Sequence, residues 1–457
     1  MIPKKWQDIT RHRCLASLPA SANARVSRVY STRTSSQSHT DSLQNWDAEE
    51  PLSGYDPATN GYLPVGIGDI LGFRYKAVRK IGWGVYSTVW IAEDTRATSS
   101  QSTTYSALKV LTRMATDAQD KLLELEFMQR MREQSPAHPG YPYVIHLHDH
   151  FYQKGPQGRH LCLAMEPLLQ DLRSLMQCFK ERSAPPYFAR LVARQIVLGL
   201  QYLHDECNMV HTGTIYCALL QEFRDLTRTA DLKLGNIMMV PPGDPAAFLA
   251  LTIPKLQEAE TYMATGPGGT PIPRVHSRPL PYPLPDHYDM YSFDTWSGVE
   301  VKIGDVGVAC WADKTSNYAN DLIQAPSVRA PEVAVGAGWG KPADVWSLGC
   351  MLYELYMGEP LFRTDVDDET VPTLHTLAVG EYPSDLIERG RRRDAFFNPD
   401  NSLKRPPGCA IPYDNVIRER DAPDAALFAD FLRYIFVLNP DGRATCRELL
   451  THPWLNP

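Results

Sequence analysis

Hydrophobic and polar positions change period along this chain, and the changes predict its elements. From 75 to 81 polar and apolar residues alternate. The run then passes through Gly82-Trp83-Gly84 into Ser87-Thr88-Val89-Trp90, which reads as strand, glycine turn, strand. Residues 105–110 and the apolar run 160–165 predict two more strands. Between them Leu123, Phe127 and Met131 recur at i, i+4 and i+8, predicting a helix over 117–132. Helical period dominates from 187 to 204 and again after Pro342. These periods imply an α+β, two-lobed chain, with a small β-rich lobe over about 74–167 and a large helical lobe over about 168–457.

Two stretches fall outside the periods. Residues 1–60 are rich in Ser, Thr and Arg and are expected to be a disordered basic tail. Their poverty in acids gives a second reading, a mitochondrial presequence processed near Arg28-Val29-Tyr30-Ser31. Residues 241–300 carry so many prolines and glycines that no helix or central strand is expected there, only an exposed, weakly packed excursion.

Composition narrows the class. Hydrophobic residues at 43% and charged ones at 22% suit a globular core, and no apolar run is long enough to cross a membrane. Nine scattered cysteines without a C-x-x-C pair indicate neither a disulfide framework nor a zinc site, so a reducing compartment, cytoplasm or nucleus, is expected. The net charge of −7 combines +6 over residues 1–40 with −13 over the rest. An acidic body disfavours nucleic acid and is compatible with basic protein partners, although ordinary surface acidity is the plainer explanation. A monomer is expected.

The candidate chemistry lies in motifs that follow one another in order. Gly82-x-Gly84-x-x-Ser87-x-Val89 lies between two strands, and Lys109 follows in an Ala107-Leu108-Lys109 strand. Glu124 lies on the next predicted helix, with Phe127 and Met128 at +3 and +4; Glu126 is the competing acid. Met165-Glu166-Pro167-Leu168 ends an apolar strand. Asp231-Leu232-Lys233-Leu234-Gly235-Asn236 precedes the apolar run that holds Met238. Asp305-Val306-Gly307, Ala330-Pro331-Glu332 and Asp344-Val345-Trp346-Ser347 complete the series, with Arg443 placed to pair with Glu332. Each motif alone is common and has an ordinary turn or core reading. Their order is what carries weight.

Over about 74–457 the sequence resembles the eukaryotic protein kinases. It is most similar to the SR-protein kinase family, through Lys80-Ile81-Gly82-Trp83-Gly84, His211-Thr212 before the catalytic Asp, and Asp305-Val306-Gly307-Val308-Ala309-Cys310-Trp311. That resemblance implies a two-lobed protein-kinase-like fold that transfers the ATP γ-phosphate to Ser or Thr, in that family of basic Arg/Ser-rich proteins. It implies Asp231 as the base and Lys233 as the cation on the transferring phosphate. Asn236 and Asp305 would be ligands of Mg2+, and Lys109, held by Glu124, would anchor the α- and β-phosphates. Ile81, Gly82, Gly84, Ser87, Val89, Ala107, Met165, Glu166, Leu168 and Met238 would enclose ATP. Asp365, Asp367, Asp368 and Glu369 are loose candidates for an acidic docking groove. Thr212 stands where many kinases carry an arginine that reads a phosphorylated loop, so constitutive activity is implied.

One departure matters for the chemistry. The family reads His-Thr-Asp without a gap, whereas here residues 213–230 separate Thr212 from Asp231. Misplacing a catalytic base by about 1 Å costs on the order of a hundredfold in rate. The codons available at Gly213, Leu226-Thr227 and Ala230 can carry splice signals, so the segment reads as a retained intron, with a genuine insertion as the alternative. A pseudokinase that binds nucleotide or a partner without turnover is the rival reading of the chain as written. A small-molecule kinase is disfavoured by Ala330-Pro331-Glu332.

Overall fold

The alternating segments pair into one antiparallel sheet, and the helical ones pack beneath it. The computed structural model describes residues 49–96, 103–212, 232–284, 292–318 and 321–456. The sheet comprises β1 (Ile70–Leu71), β2 (Tyr75–Gly84), β3 (Ser87–Asp94), β4 (Tyr105–Leu111), β5 (Leu147–Gly155) and β6 (Gly158–Met165), in the order β1-β2-β3-β4-β6-β5. Because side chains alternate across a strand, β4 sends Ala107 and Leu111 to one core and Leu108 and Val110 to another. The first core joins the small lobe to the large one. The second lies on the sheet's outer face.

That outer face corrects two expectations. The supposed tail is packed from Glu49 onward: Leu52–Tyr55 forms a 3-10 turn, and Tyr55, Tyr62, Leu63 and Val65 are buried. The proline-rich excursion is packed too. Its strands Thr261–Thr265 and Pro271–Val275 pair antiparallel, and Val275 joins the outer core beside Trp90 and Leu108. Proline is tolerated there because a two-stranded ribbon consists only of edges. Backbone bonds fix the excursion to β2, where Arg278 N–H donates to Lys80 O (2.9 Å) and the Arg79 guanidinium to Arg278 O (2.8 Å). A helix, Pro245–Thr252, precedes the ribbon.

The helix expected over 117–132 is broken into Arg113–Asp117, Gln119–Leu122 and Glu124–Glu133. Leu123, counted above as a helical apolar position, instead takes the left-handed conformation with φ 54°. Left-handed backbone is costly for leucine, and here it re-aims the last helix. Glu124, Phe127, Met128 and Met131 turn inward while Glu126 stays exposed.

The large lobe is built on helices Pro186–Asp205 and Lys341–Met357, with Ala425–Ile435 packed against the latter. Proline in the first turn starts the first two without losing a helical bond. Gly358 ends the second at φ 82°, where an added Cβ would lie 2.4 Å from Glu181 O, so both conformation and space require glycine. No helix among the described residues is long and apolar enough to cross a membrane.

Candidate active site

The β2–β3 hairpin forms the roof. Gly84 pairs with Ser87 and Gly82 with Val89, leaving Val85 and Tyr86 at the tip. A Cβ built on Gly82 or Gly84 would meet nothing within 4 Å, so the loop's underside is open enough for a phosphate chain to approach the backbone. Lys109, on β4, lies directly across from Val89 on β3 and from Leu163 on β6, and Ala107 lies across from Met165. These register pairs carry the roof, the lysine and the back of the expected adenine pocket on neighbouring strands. Ile81 and Ser87 flank the loop on the same hairpin.

Lys109 Nζ forms an ion pair with Glu124 and lies 3.3 Å from Asp305 Oδ1. Burial pulls the lysine pKa down, but the two carboxylates outweigh it and hold the ammonium charged. Burial raises Glu124, against the pull of Lys109. Asp305 is lowered overall, burial being overcome by Lys109 and then His211. Lys109 therefore bridges the Glu124 helix and the Asp305 turn. Glu126, the competing acid, faces solvent.

The floor is a second hairpin. Ile237–Met239 pairs with Val301–Ile303, and Gly304 N–H donates to Asn236 O at 2.9 Å. One backbone bond thus sets Asn236 and Asp305 side by side, two hard oxygen donors of the kind Mg2+ takes alongside phosphate and water. Met238 lies opposite Lys302 and bridges to Asp171, and Leu169 N–H donates to Met239 O, so the segment after Leu168 is stitched to the floor. The Glu166 carboxylate accepts His146 N–H (2.9 Å) and Lys302 Nζ (2.8 Å). Its side chain is thus committed behind the hinge, and its N–H donates to His146 O at 3.4 Å, leaving the main-chain carbonyl side to meet a ligand. Lys233 and Leu234 line a cavity of about 510 Å³ that continues along Ser327, Val328 and Glu354.

Asp344 braces the approach to the catalytic loop, as expected. Fully buried, it accepts His211 N–H (2.7 Å), Thr212 N–H (2.9 Å) and the His204 ring (2.9 Å). The Thr212 hydroxyl donates to Val308 O, tying that approach to the segment after Asp305. Arg443 grips Glu332 with two parallel bonds of 2.8 and 2.9 Å. Residues 213–230 and Asp231, the expected base, lie outside the described residues.

The loose docking candidates are otherwise occupied. Asp365 pairs with Arg363, Asp368 with Arg329 and Glu369 with Arg405, while Asp367 accepts Thr370 N–H. Sequence reasoning missed Gln324, which holds the segment before Ala330-Pro331-Glu332. Buried at φ 66°, its amide donates to Ala343 O and Ser347 Oγ and accepts Ala330 N–H. Nothing in its neighbourhood, Ile323-Gln324-Ala325-Pro326, marks it out.

Comparison with known proteins agrees with this geometry. Residues 75–213 and 293–455 match the protein kinase domain family. Serine/threonine-protein kinase SRPK of Physarum polycephalum is 28% identical over 422 residues, covering 88% of this chain and 90% of the relative. Protein kinase dsk1 of Schizosaccharomyces pombe is 27% identical, covering 86% and 83%. Human SRSF protein kinase 3 is 26% identical, covering 90% and 91%. A crystal structure of a kinase domain superposes with a TM-score of 0.58 at 21% identity, over 86% of this chain and 99% of that one, which supports the fold alone. The chain belongs to the protein kinase family. It is a serine/threonine protein kinase similar to the SR-protein kinases.

Proposed function

We propose that the chain phosphorylates serine or threonine in basic, Arg/Ser-rich proteins, using ATP and Mg2+. The observation that carries the reading is the convergence of Lys109, Glu124 and Asp305 beneath the open underside of the glycine loop. When bound, magnesium-ATP supplies the γ-phosphoryl group and the cation that neutralises its charge. Lys109 holds the α- and β-phosphates, kept charged and aimed by Glu124. Asn236 and Asp305 hold the metal, and the N–H groups of the glycine loop cover the phosphates. Asp231 orients the substrate hydroxyl and takes its proton. Lys233 offsets charge on the transferred group. Ile81, Val89, Ala107, Met165, Leu168 and Met238 enclose the adenine, with the Glu166 main chain at its edge. Most of the rate enhancement is positioning and charge stabilisation.

The substrate chain is proposed to lie in the cavity beside Lys233, where Glu354 and Glu359 offer carboxylates to arginine. Burial raises the Glu354 pKa, and its partner Arg173, 3.5 Å away, is half exposed and displaceable. The names of the relatives support this choice, since one is a kinase of SRSF proteins. Transfer from labelled ATP to an Arg/Ser-repeat peptide, and not to a peptide with alanine for arginine, is the expected outcome. Equal transfer to both would remove the basic-substrate reading. Residence in cytoplasm or nucleus is proposed with it, and mitochondrial import of a fluorescent protein fused to residues 1–45 would overturn that.

A further inference from the structure

We infer that Asn60 and Tyr62 are positioning residues that aim the phosphate-binding N–H groups of the glycine-rich loop. The inference rests on the reading of that loop as the cover of ATP. The tip of the loop is held from outside at three successive carbonyls. The Tyr62 hydroxyl donates to Gly84 O at 2.8 Å and stands 3.2 Å from Val85 O. Asn60 Nδ2 donates to Val85 O at 2.8 Å. Thr112 N–H donates to Tyr86 O at 2.8 Å.

The donors are fixed to one another. Arg113 N–H donates to Gly61 O (2.9 Å) and Met114 N–H to Asn60 O (3.2 Å), so the arm formed by residues 49–65 and the entry of the Arg113–Asp117 helix close into one set. Gly61, between the two donors, has φ 65°, and an added Cβ would lie 3.0 Å from Arg113 Cβ. Glycine is required there to let the arm turn. Asn60 and Tyr62 are buried, at 5% and 2% exposure, so water does not compete for these bonds. The arm is pinned again upstream, where Tyr55 O–H donates to Glu50.

The consequence follows from peptide planarity. The C=O of one residue and the N–H of the next point in opposite directions. Holding the Gly84 and Val85 carbonyls on the arm side turns the N–H groups of Val85 and Tyr86 toward the cleft. Glycine-rich loops are otherwise free to sample many orientations, and each costs affinity when a ligand must select one. The arm pre-orders the tip before nucleotide arrives. Such an effect acts on the phosphates and spares the adenine pocket.

The test measures ATP and adenosine binding to the full chain, together with KM for ATP and for peptide. Tyr62→Phe removes the hydroxyl and keeps the ring that packs 5.5 Å from Tyr55. Asn60→Ala removes the second donor independently, should the first variant fail to fold. Each variant is expected to weaken ATP binding by about three- to tenfold, the effect of one hydrogen bond, with adenosine binding and peptide KM unchanged. Unchanged ATP affinity in both variants overturns the inference. Equal weakening of ATP and adenosine also overturns it, because it means general damage to the small lobe. Failure of the unaltered chain to bind ATP would instead remove the nucleotide reading, and this inference with it.

Discussion

The Trp311 ring packs on the Phe127 ring with centroids 4.8 Å apart and planes tilted by 56°. Phe127 belongs to the helix that carries Glu124, and Trp311 lies six residues beyond Asp305. Trp311 is itself fixed, since it pairs with Met209 and the next residue, Ala312, donates to Asn208 O. The helix is therefore latched to the large lobe by an aromatic contact that needs no phosphate.

Trp311→Ala should release that latch. An aromatic pair contributes about 0.5–1.5 kcal/mol beyond its buried area, enough to let the helix swing and loosen Glu124 from Lys109. The expected result is a fall of roughly tenfold in kcat/KM, with Trp311→Phe retaining most activity. If alanine lowers Tm but leaves kcat/KM within about twofold, the helix is held by something else.

Lys80 makes a different kind of join. Its ammonium is ion-paired with both Glu49 and Glu50, and all three side chains are at most 3% exposed. At that burial the surface rule of negligible ion pairs does not apply. Removing one side of a buried pair costs about 3–5 kcal/mol, because charges are left uncompensated. Lys80→Met should therefore destabilise the fold by that amount. Glu49→Gln should cost less, since Lys80 keeps Glu50. Chemical denaturation of the two variants checks the ranking, and a Lys80→Met protein within about 1 kcal/mol of the parent would refute it.

Glu49 also gives a pH dependence with a definite sign. Burial pushes its carboxyl up, but the bonds from Lys80 and from Ser277 N–H and Oγ–H prevail, and the pKa is lowered from 4.5. A carboxyl lowered on folding stabilises the native state fully above its unfolded pKa, and that contribution disappears as pH falls through the folded value. The window therefore lies below pH 4.5. Tm should fall on acidification through that window, and less steeply in Glu49→Gln. Parallel curves for the two proteins would mean that Glu49 carries no such linkage.

What the sequence disclosed follows the same physics. Gly82, Lys109, Asn236 and Asp305 were legible because phosphate chemistry restricts both the residue types and their order. The packed segment 49–65 was not. Tyr55, Tyr62, Leu63 and Val65 follow no single period, and their partners, such as Val275, lie some 200 residues away in a stretch that proline seemed to rule out. β5 escaped because only Leu147 of its nine residues is buried, as suits an edge strand. Leu123 misled by continuing an apolar period across a left-handed break.

The segment 213–230 poses the remaining mechanistic question, and flanking geometry sharpens it. His211 and Thr212 are locked on Asp344 on one side, and Asn236 is bonded to Gly304 on the other. Both ends of the catalytic loop are thus anchored independently of the segment. Excising 213–230 would join Thr212 to Asp231 and restore the uninterrupted His-Thr-Asp order. If the eighteen added residues displace Asp231 by even about 1 Å, they cost on the order of a hundredfold in rate. The shortened protein should therefore phosphorylate an Arg/Ser-repeat peptide at least about a hundredfold faster than the full chain. ATP affinity should be unchanged, because Lys109, Asp305 and the glycine loop are untouched. Asp231→Asn in the shortened protein should abolish the gain. Equal rates for the two lengths would mean that the segment loops out without moving the base, and that it is a genuine insertion the active enzyme tolerates.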